Sequence, residues 1–493
     1  MKHLFLLFFL FLNYTSYSQE FKRNYNWGLG YDPVVKFNFN NNSLLIQKVE
    51  NNSTPYCILS DGASISDTNG NLLFISNGFI LYDSNGYSLQ NGYLINCPLG
   101  KKLANRYGGV TLTIQTSIIL PKSGNQYYVF STGMSDSVAS NYINGIYMEF
   151  DVLSYCVVDM DSNNGKGKVI VRDSVLAQKR HFGNAALSAV KHANGKDWWL
   201  VKSDCHNNRF EEYLVTANSI KGPFFYEVTS KGDWCYDLFS TMAFNHAGTQ
   251  LASGMYGMTI NGIYYRNRVD LYDFNRCDGS IVFKQYYMPP YDISTYPTRD
   301  MKNGFCFSPN DSLLYEINDY TIYQIDMHDT NRYNAVFIHG PDTLIAYFPF
   351  YQNAKCGPDG KLYIGNQNGT RKYMSYIDKP NIKGLACEFM PQGIYQPYTN
   401  LKSPPNMPNY GLGPDTLRVC LPVEPTLDNW LIYPNPCSSV LYIKFCSGQE
   451  KVLYNTFGQK VLSTTADEIF VGHLPRGMYY LRARNRVKKV LVE

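Results

Sequence analysis

Residues 305–315 read FCFSPNDSLLY, which is a short apolar strand, a polar turn and a second apolar strand. Pro309 stands in the turn, where the sheet needs no backbone donor. A third strand follows at residues 322–326 and ends on Asp326. The stretch therefore predicts a small antiparallel unit with a tight hairpin between its first two strands.

The same unit recurs along residues 60–380. Its six turns, at positions 70, 124, 195, 248, 311 and 360, lie 58 residues apart on average, and each copy has a third strand. One small sheet cannot bury both of its faces, whereas a ring of radially stacked sheets can. This period therefore predicts a β-propeller. An array of β-sandwiches is the alternative.

Residues 20–414 are long enough for seven such units, which predicts an all-β fold with a seven-bladed β-propeller. We expect the seventh blade to combine residues 33–50 with strands near residues 385–410, because a splice of both ends leaves no free sheet edge. The composition agrees, since 15% of the 493 residues are aromatic and only 17% are charged. It excludes a disordered chain, a coiled coil and a collagen.

The first residues predict an export signal. The apolar run from Leu4 to Leu12 follows Lys2, and small residues precede Gln19, so residues 1–18 form the predicted signal peptide. A membrane anchor is the alternative, but the run is short for a span. We therefore predict no membrane span.

The formal charge of +4 lies in residues 427–493, and the propeller is close to neutral. This distribution argues against a nucleic-acid partner, which demands a clustered basic face.

The sequence changes character after Pro414. Residues 415–429 form a predicted linker, and residues 430–493 predict six or seven short strands in a small Ig-like β-sandwich. Two motifs stand out in the second segment: Tyr433, Pro434, Asn435 and Pro436, then Leu474, Pro475, Gly477 and Tyr479.

The segment with these motifs resembles the type A C-terminal sorting domain of the type IX secretion system. The resemblance implies export through the periplasm, by the machinery at the outer membrane, to the cell surface or the extracellular space. It also implies that the domain is removed at the outer membrane. An unrelated adhesive sandwich is the alternative.

The propeller segment carries a second resemblance. Residues 305–315 resemble the blade motif of WD-like propellers, and residues 158–161, 184–192 and 356–364 are similar to stretches of exported propeller proteins from gliding bacteria. A secreted propeller is implied.

Two kinds of modification are predicted. Cys277 ends the fourth copy of the unit and Cys306 starts the fifth, so they are the first candidates for a disulfide. Ser137, Ser174 and Thr416 follow aspartate and precede an aliphatic residue. That pattern resembles the O-glycosylation sites of bacteria with this export system.

No catalytic motif occurs. His181, His192, His206 and His246 have no metal-binding spacing, and residues 159–170 depart from a calcium loop at Asn164 and Ile170. We predict no cofactor, no metal and no enzymatic activity.

The leading hypothesis is a secreted or cell-surface binding or adhesion module whose ligand, a protein or a glycan, is unknown. One alternative is a glycan hydrolase or lyase, which needs two carboxyl groups ~5–10 Å apart in one cleft. The other alternative is a structural component of a gliding or adhesion apparatus.

Overall fold

The chain forms two compact units in the computed structural model, Met1–Val419 and Cys420–Glu493. The residues that the structure describes are 21–29, 35–39, 44–48, 62–95, 115–143, 150–180, 182, 186–204, 209–227, 241–255, 258–260, 263–265, 268–288, 304–318, 320–331, 334–339, 351–366, 371–400, 403–416, 420, 431–444, 449–483 and 486–493. The predicted signal peptide and much of the predicted linker lie outside these residues.

The strands described in the N-terminal unit form seven antiparallel blades and one separate hairpin. Blades 1 and 2 comprise β1 (Asn26–Leu29), β2 (Val35–Asn38) and β3 (Leu45–Lys48), then β4 (Ala63–Ser66), β5 (Leu72–Ser76) and β6 (Leu81–Asp83). Blade 3 comprises β7 (Ser117–Pro121), β8 (Gln126–Gly133), β9 (Val152–Asp159) and β10 (Lys168–Ala177), with helix α1 (Asp136–Ile143) between β8 and β9.

Blade 4 comprises β11 (Leu187–Lys191), β12 (Trp198–Asp204), β13 (Arg209–Val215) and β14 (Ile220–Glu227). Blade 5 comprises β15 (Met242–Phe244), β16 (Gln250–Met255), β19 (Arg268–Phe274) and β20 (Ile281–Tyr287), with the hairpin β17 (Met258–Ile260) and β18 (Ile263–Tyr265) inserted. Blade 6 comprises β21 (Gly304–Phe307), β22 (Leu313–Ile317), β23 (Ile322–Asp326) and β24 (Ala335–His339). Blade 7 comprises β25 (Tyr351–Cys356), β26 (Leu362–Asn366), β27 (Arg371–Ile377) and β28 (Phe389–Asn400). Short 3-10 helices occupy Phe21–Asn24 and Gly384–Cys387.

The blades form a closed ring. The first strand of each blade contacts the first strand of the next, in the order β1, β4, β7, β11, β15, β21 and β25. The ring closes where Trp27 and Phe39 of blade 1 meet Tyr363 of blade 7, with ring centroids 5.4 and 5.5 Å apart. The predicted seven-bladed propeller is confirmed.

The predicted splice of the two ends is wrong. β2 and β3 pair within blade 1, while β28 pairs with β27 of blade 7. Trp27 and Phe37 give residues 26–48 a buried aromatic face of their own. The ring therefore closes by packing between two complete sheets and not by a shared sheet.

The six predicted turns are confirmed by their backbone. Gly70, Gly124, Gly195, Gly248 and Gly360 have φ between 57° and 91°, and Asp311 has φ 60°. This left-handed region is the one that tight hairpins between first and second strands require.

The sequence alone predicts the third strand of blade 3 at residues 147–151, but residues 150 and 151 form no strand, and residues 147–149 lie outside the described residues. The third strand is β9, which pairs with β8 from Gln126 to Gly133. Its sequence is more apolar, and it matches β8 in length.

Two adjacent tryptophans show how the blades pack. Trp198 and Trp199 are both buried, and their side chains point to opposite faces of β12. Trp198 joins the core shared with blade 3, and Trp199 joins the core shared with blade 5. The tryptophan pair therefore packs between blades.

The C-terminal unit consists of two sheets with one shared core. The first contains β29 (Leu431–Tyr433), β30 (Val440–Lys444) and β33 (Glu468–Phe470). The second contains β31 (Lys451–Asn455), β32 (Lys460–Thr464), β34 (Gly477–Ala483) and β35 (Arg486–Val492). Side chains of both sheets, Leu441, Ile443, Leu453, Leu481 and Val490 among them, form one buried cluster. The Ig-like topology stays a prediction.

The described part of the chain contains no helix of the length and hydropathy that a bilayer span requires.

Candidate functional site

Residues 403–413, which we call the axial segment, lie against the inner strands of the ring. The backbone N–H of Asn406 donates to Gly62 O at 2.8 Å, just before β4. The side-chain amide of Asn406 donates to Ser117 O at 3.0 Å in blade 3 and to Leu187 O at 2.9 Å in blade 4. One buried side chain therefore connects two blades through their backbones.

Further bonds fix the rest of the axial segment. The Tyr410 hydroxyl donates to Ile119 O at 2.8 Å, and Lys191 Nζ donates to Tyr410 O at 2.7 Å. Lys355 Nζ donates to Met407 O, and Asn409 Nδ2 donates to His246 O at 2.9 Å. The segment thus bonds to blades 3, 4 and 7 and to the first hairpin of blade 5.

The composition of the axial segment explains why it forms no strand. Pro404, Pro405 and Pro408 lack backbone donors, so the segment cannot add to a sheet ladder. Asparagine side chains supply donors instead. Strands had been predicted up to about residue 410, but β28 ends at Asn400 and residues 403–410 contain no strand.

A cavity of about 370 Å³ lies between the axial segment and the inner strands. Its volume falls within the usual range for small-ligand pockets. Five blades contribute walls, through Ile118, Ser188–Val190, Met242–Phe244, Phe305–Phe307 and Asn353–Cys356.

The polar lining of the cavity is cationic and amide-rich. It includes Lys355, His246, Gln115, Asn353 and Asn406. Of the described residues that line the cavity, none is aspartate or glutamate. The amides of Gln115 and Asn406 donate within the protein, so the donors that a ligand would meet are chiefly those of Lys355 and Asn353.

Asp311 holds His246 at the cavity wall. The Asp311 carboxylate accepts the backbone N–H of His246 at 2.7 Å and that of Ala247 at 2.9 Å. Its Oδ1 also lies 3.1 Å from His246 Nδ1. Both the backbone and the imidazole of His246 are thus held by one carboxylate.

The predicted disulfide between Cys277 and Cys306 is wrong. Cys306 is a free, buried thiol, while Cys277 is disulfide-bonded. Cys277 lies in the turn between β19 and β20, whereas Cys306 lies on the inner strand β21. The Cys306 Sγ instead faces the free thiol of Cys356 on β25, at 3.6 Å.

The three predicted O-glycosylation sites lie in different surroundings. Ser137 is exposed in the first turn of α1, and Thr416 is exposed at a bend. Ser174 is half-buried on β10, where it pairs with Tyr155. Modification of these residues stays a prediction.

Charged side chains are buried between blades 3 and 4. Lys202 and Glu211 are opposite each other on β12 and β13, and neither is exposed. Burial lowers the pKa of Lys202 to about 7. Glu211 accepts a hydrogen bond from Tyr213 and lies 3.5 Å from Arg180. These charges compensate one another and join the two blades.

Glu212, the next residue on β13, faces blade 5 and has a buried carboxyl that should make stability depend on pH. Its carboxyl is buried, and neither oxygen has a hydrogen-bond partner among the described residues. Burial, with a further contribution from Asp278, raises its pKa well above the usual value. Since the unfolded chain ionises near pH 4.3, rising pH favours unfolding by up to about 1.4 kcal/mol per pH unit until the raised pKa is reached.

We therefore expect Glu212→Gln to be more stable than the wild type at pH 7, with little difference at pH 4. Urea unfolding at both pH values measures this. Glu211→Gln is the matched control, and it should gain less stability, because the burial that raises the pKa of Glu211 is partly offset by Tyr213 and Arg180. Equal stability of Glu212→Gln and the wild type at pH 7 would contradict the account.

The C-terminal unit has a second site, where its opening motif bonds to its closing strand. Asn435 Nδ2 donates to Lys489 O at 2.9 Å, and Asn435 Oδ1 accepts the N–H of Leu491 at 2.8 Å. Cys437 and Glu493 add two backbone bonds between the same segments, both below 3.0 Å. The motif thus joins the two sheets through β35.

The remaining motif residues support these strands. Tyr433 stacks on Tyr442 at 5.5 Å, and Pro434 and Pro436 flank Asn435. The Tyr479 hydroxyl donates to Pro475 O at 2.8 Å, next to the partly buried Leu474. Gly477 begins β34.

Residues 431–493 match the family of secretion system C-terminal sorting domains. The chain carries a sorting domain. It is therefore exported through the type IX secretion system to the cell surface or the extracellular space. The bonds of Asn435 show that the opening motif of this sorting domain is held by its last strand, β35.

Solved structures similar to the chain include a 6-phosphogluconolactonase candidate from Bacteroides uniformis, with 13% identity, a TM-score of 0.43, and coverage of 76% of this chain and 98% of that chain. The periplasmic gluconolactonase of Pseudomonas aeruginosa has 12% identity and a TM-score of 0.40, and covers 77% and 96%. Likenesses this weak say nothing about activity. No curated protein sequence matches the chain at a significant level.

Proposed function

We propose that the chain is an exported binding module, and that its propeller binds an extracellular protein or glycan at the axial cavity. The proposal is supported by the cavity itself, whose polar lining converges from several blades and from the axial segment. Ligand pockets commonly combine a largely apolar wall with a few placed polar groups. Delivery outside the cell follows from the sorting domain.

The chemistry of the lining favours a ligand group rich in oxygen acceptors. Lys355 has three ammonium donors, and the side-chain amide of Asn353 stands nearby. A sugar hydroxyl, a carboxylate or a peptide carbonyl would satisfy them. The proposed ligand therefore presents a small acceptor-rich end to the cavity.

The lining favours binding over glycan hydrolysis at this place. A two-carboxylate hydrolase needs an acid and a second carboxylate flanking the scissile bond. Where such a hydrolase has its two carboxylates, the described residues around the cavity provide a lysine and a histidine. The test below must therefore distinguish a binding module from a glycan hydrolase.

We expect Lys355→Met to weaken ligand binding at least tenfold, because it removes the ammonium from the cavity wall. Lys191→Met is the matched control. Lys191 also donates to a carbonyl of the axial segment, but it does not line the cavity. Its variant should therefore bind within twofold of the wild type.

The measurement starts with the exported protein on a glycan array and on a panel of extracellular proteins. The dissociation constant of the strongest ligand is then determined for the wild type and both variants. Equal weakening by the two variants, or no ligand in either screen, would refute the proposal. Release of shortened glycans by the wild type would replace it with the hydrolase.

A further inference from the structure

We propose that Cys306 and Cys356 form a disulfide in the exported protein, which joins blade 6 to blade 7 at the wall of the axial cavity. The two Sγ atoms lie 3.6 Å apart, on the first strands of adjacent blades. A disulfide bond is about 2.0 Å long, so a modest rotation of the two side chains brings the sulfur atoms together.

The position in the ring makes the pair suitable for a cross-link. β21 and β25 are neighbouring inner strands that contact each other along the ring. Both thiols also point toward the same main-chain oxygen, since Cys306 Sγ lies 3.5 Å and Cys356 Sγ lies 3.2 Å from Phe307 O. The strands therefore already hold the two sulfur atoms in one place.

The surroundings favour attack by Cys306. The hydrogen bond from Cys356 lowers the pKa of the Cys306 thiol, and His246 and Lys355 add to the effect. The thiolate is the form that attacks a disulfide. Both cysteines line the cavity, which provides the route for a reagent.

The reaction needs an oxidant, and we assign this role to a periplasmic protein disulfide that accepts two electrons. The Cys306 thiolate attacks one sulfur of that disulfide and forms a mixed disulfide, and the first donor thiolate leaves. Cys356 then loses its proton, and its thiolate attacks the Cys306 sulfur. The second donor thiolate leaves, so the two cysteines are oxidised and the donor disulfide is reduced to two thiols.

A metal site would be the other use of two close thiols. The described residues contain no group of three or more His, Cys, Asp or Glu side chains that could hold an ion. The compartment also favours oxidation, because exported chains pass through an oxidising periplasm. The disulfide is therefore the proposal, and a bound thiophilic metal is an outcome of the test.

The test uses the full chain exported by a host with the type IX system and collected without reductant. The protein is alkylated with N-ethylmaleimide under denaturing conditions, digested and analysed by mass spectrometry. We expect a linked peptide pair containing Cys306 and Cys356, and no alkylation of either residue. Cys156, a free buried thiol away from this pair, should be alkylated and serves as the internal control.

Thermal unfolding gives a second readout. The two cysteines lie 50 residues apart in sequence, and a cross-link over such a loop corresponds to a rise in Tm of about 5 °C in a unit of this size. The double variant Cys306→Ser, Cys356→Ser should lose this increment under non-reducing conditions. Cys156→Ser controls for the loss of a buried thiol.

Alkylation of both Cys306 and Cys356 would overturn the proposal. Protection of both residues without a linked peptide, together with about one equivalent of zinc or copper by elemental analysis, would overturn it in favour of a metal site. If the peptides are linked but the double variant and Cys156→Ser have the same Tm, the disulfide forms but does not stabilise the propeller. That result would overturn the stabilising part of the proposal.

Discussion

Deleting residues 487–493 is expected to reduce export at least tenfold and to leave the protein in the periplasm. These residues form most of β35, which pairs with β34 from Gly477 to Ala483. They also place Val490 and Val492 in the core. Two fully buried valines stabilise by roughly 3–6 kcal/mol, which is comparable to the whole stability of a domain this small. The sorting domain should therefore unfold.

The measurement is fractionation of cells that express the full chain or the deletion variant, followed by detection of the protein in medium, surface and periplasm. The N-terminal unit has its own core, so periplasmic variant protein should keep the propeller's thermal transition. Equal export of both chains would contradict the role of the closing strand. Loss of the propeller transition would show that the deletion acts through the whole chain.

A smaller change tests the same contact. Asn435→Ala removes the two side-chain bonds to β35, whereas Asn455→Ala removes side-chain bonds within one turn. Export should fall more for the first variant than for the second. An equal decrease would mean that export is limited by general destabilisation of the sorting domain. The hydrogen bonds between the opening motif and β35 would then have no special role.

Replacing Asn406 by aspartate should destabilise the N-terminal unit by about 4 kcal/mol, since each buried carbonyl left without a donor costs roughly 1–3 kcal/mol. The change keeps the size of the side chain but removes the amide that donates to Ser117 O and Leu187 O. An ionised carboxylate would also repel both carbonyl oxygens. In a unit of this size the change corresponds to a Tm decrease of about 5 °C.

Thermal unfolding at neutral pH measures this effect, with Asn409→Asp as the matched control. Asn409 donates to a single carbonyl and is less buried, so its variant should lose about half as much. Asn406→Ala, which removes the donors without adding charge, should fall between the two. A Tm for Asn406→Asp at or above that of Asn409→Asp would show that the axial segment does not hold the ring together.

Local features made the ring predictable from sequence. A tight hairpin needs a residue that accepts positive φ, and glycine or aspartate marks that position in six successive blades. The apolar strands on both sides of each turn complete the signal. The motifs of the sorting domain are visible for the same reason, because short stretches of sequence carry them.

The predicted repeat begins only at residue 60, so the sequence pattern does not mark blade 1 as a separate sheet. Its place in the ring depends on Trp27 and Phe39, which contact Tyr363 more than 300 residues later in the chain. Aromatic residues are frequent throughout this sequence, so no pattern marks these three as partners.

The axial segment could not be predicted because its partners are backbone carbonyls. Any residue type presents the same carbonyl, so neither Ser117 nor Leu187 shows in the sequence that Asn406 binds there. The proximity of the two thiols, by contrast, could have been predicted from the sequence. Cys306 and Cys356 each stand at the end of the first strand of neighbouring copies, and inner strands of neighbouring blades must meet.

The long reach of the axial segment also has a consequence for biosynthesis. Met407 lies 3.8 Å from Ser64, and these residues are 343 positions apart in the chain. Folds dominated by such separated contacts form slowly, and the ring cannot close until its last residues have emerged. The sorting domain follows within a few tens of residues. The axial segment, which completes the propeller, and the sorting domain therefore leave the ribosome almost together. A complete propeller that lacks its sorting domain is hardly present during synthesis.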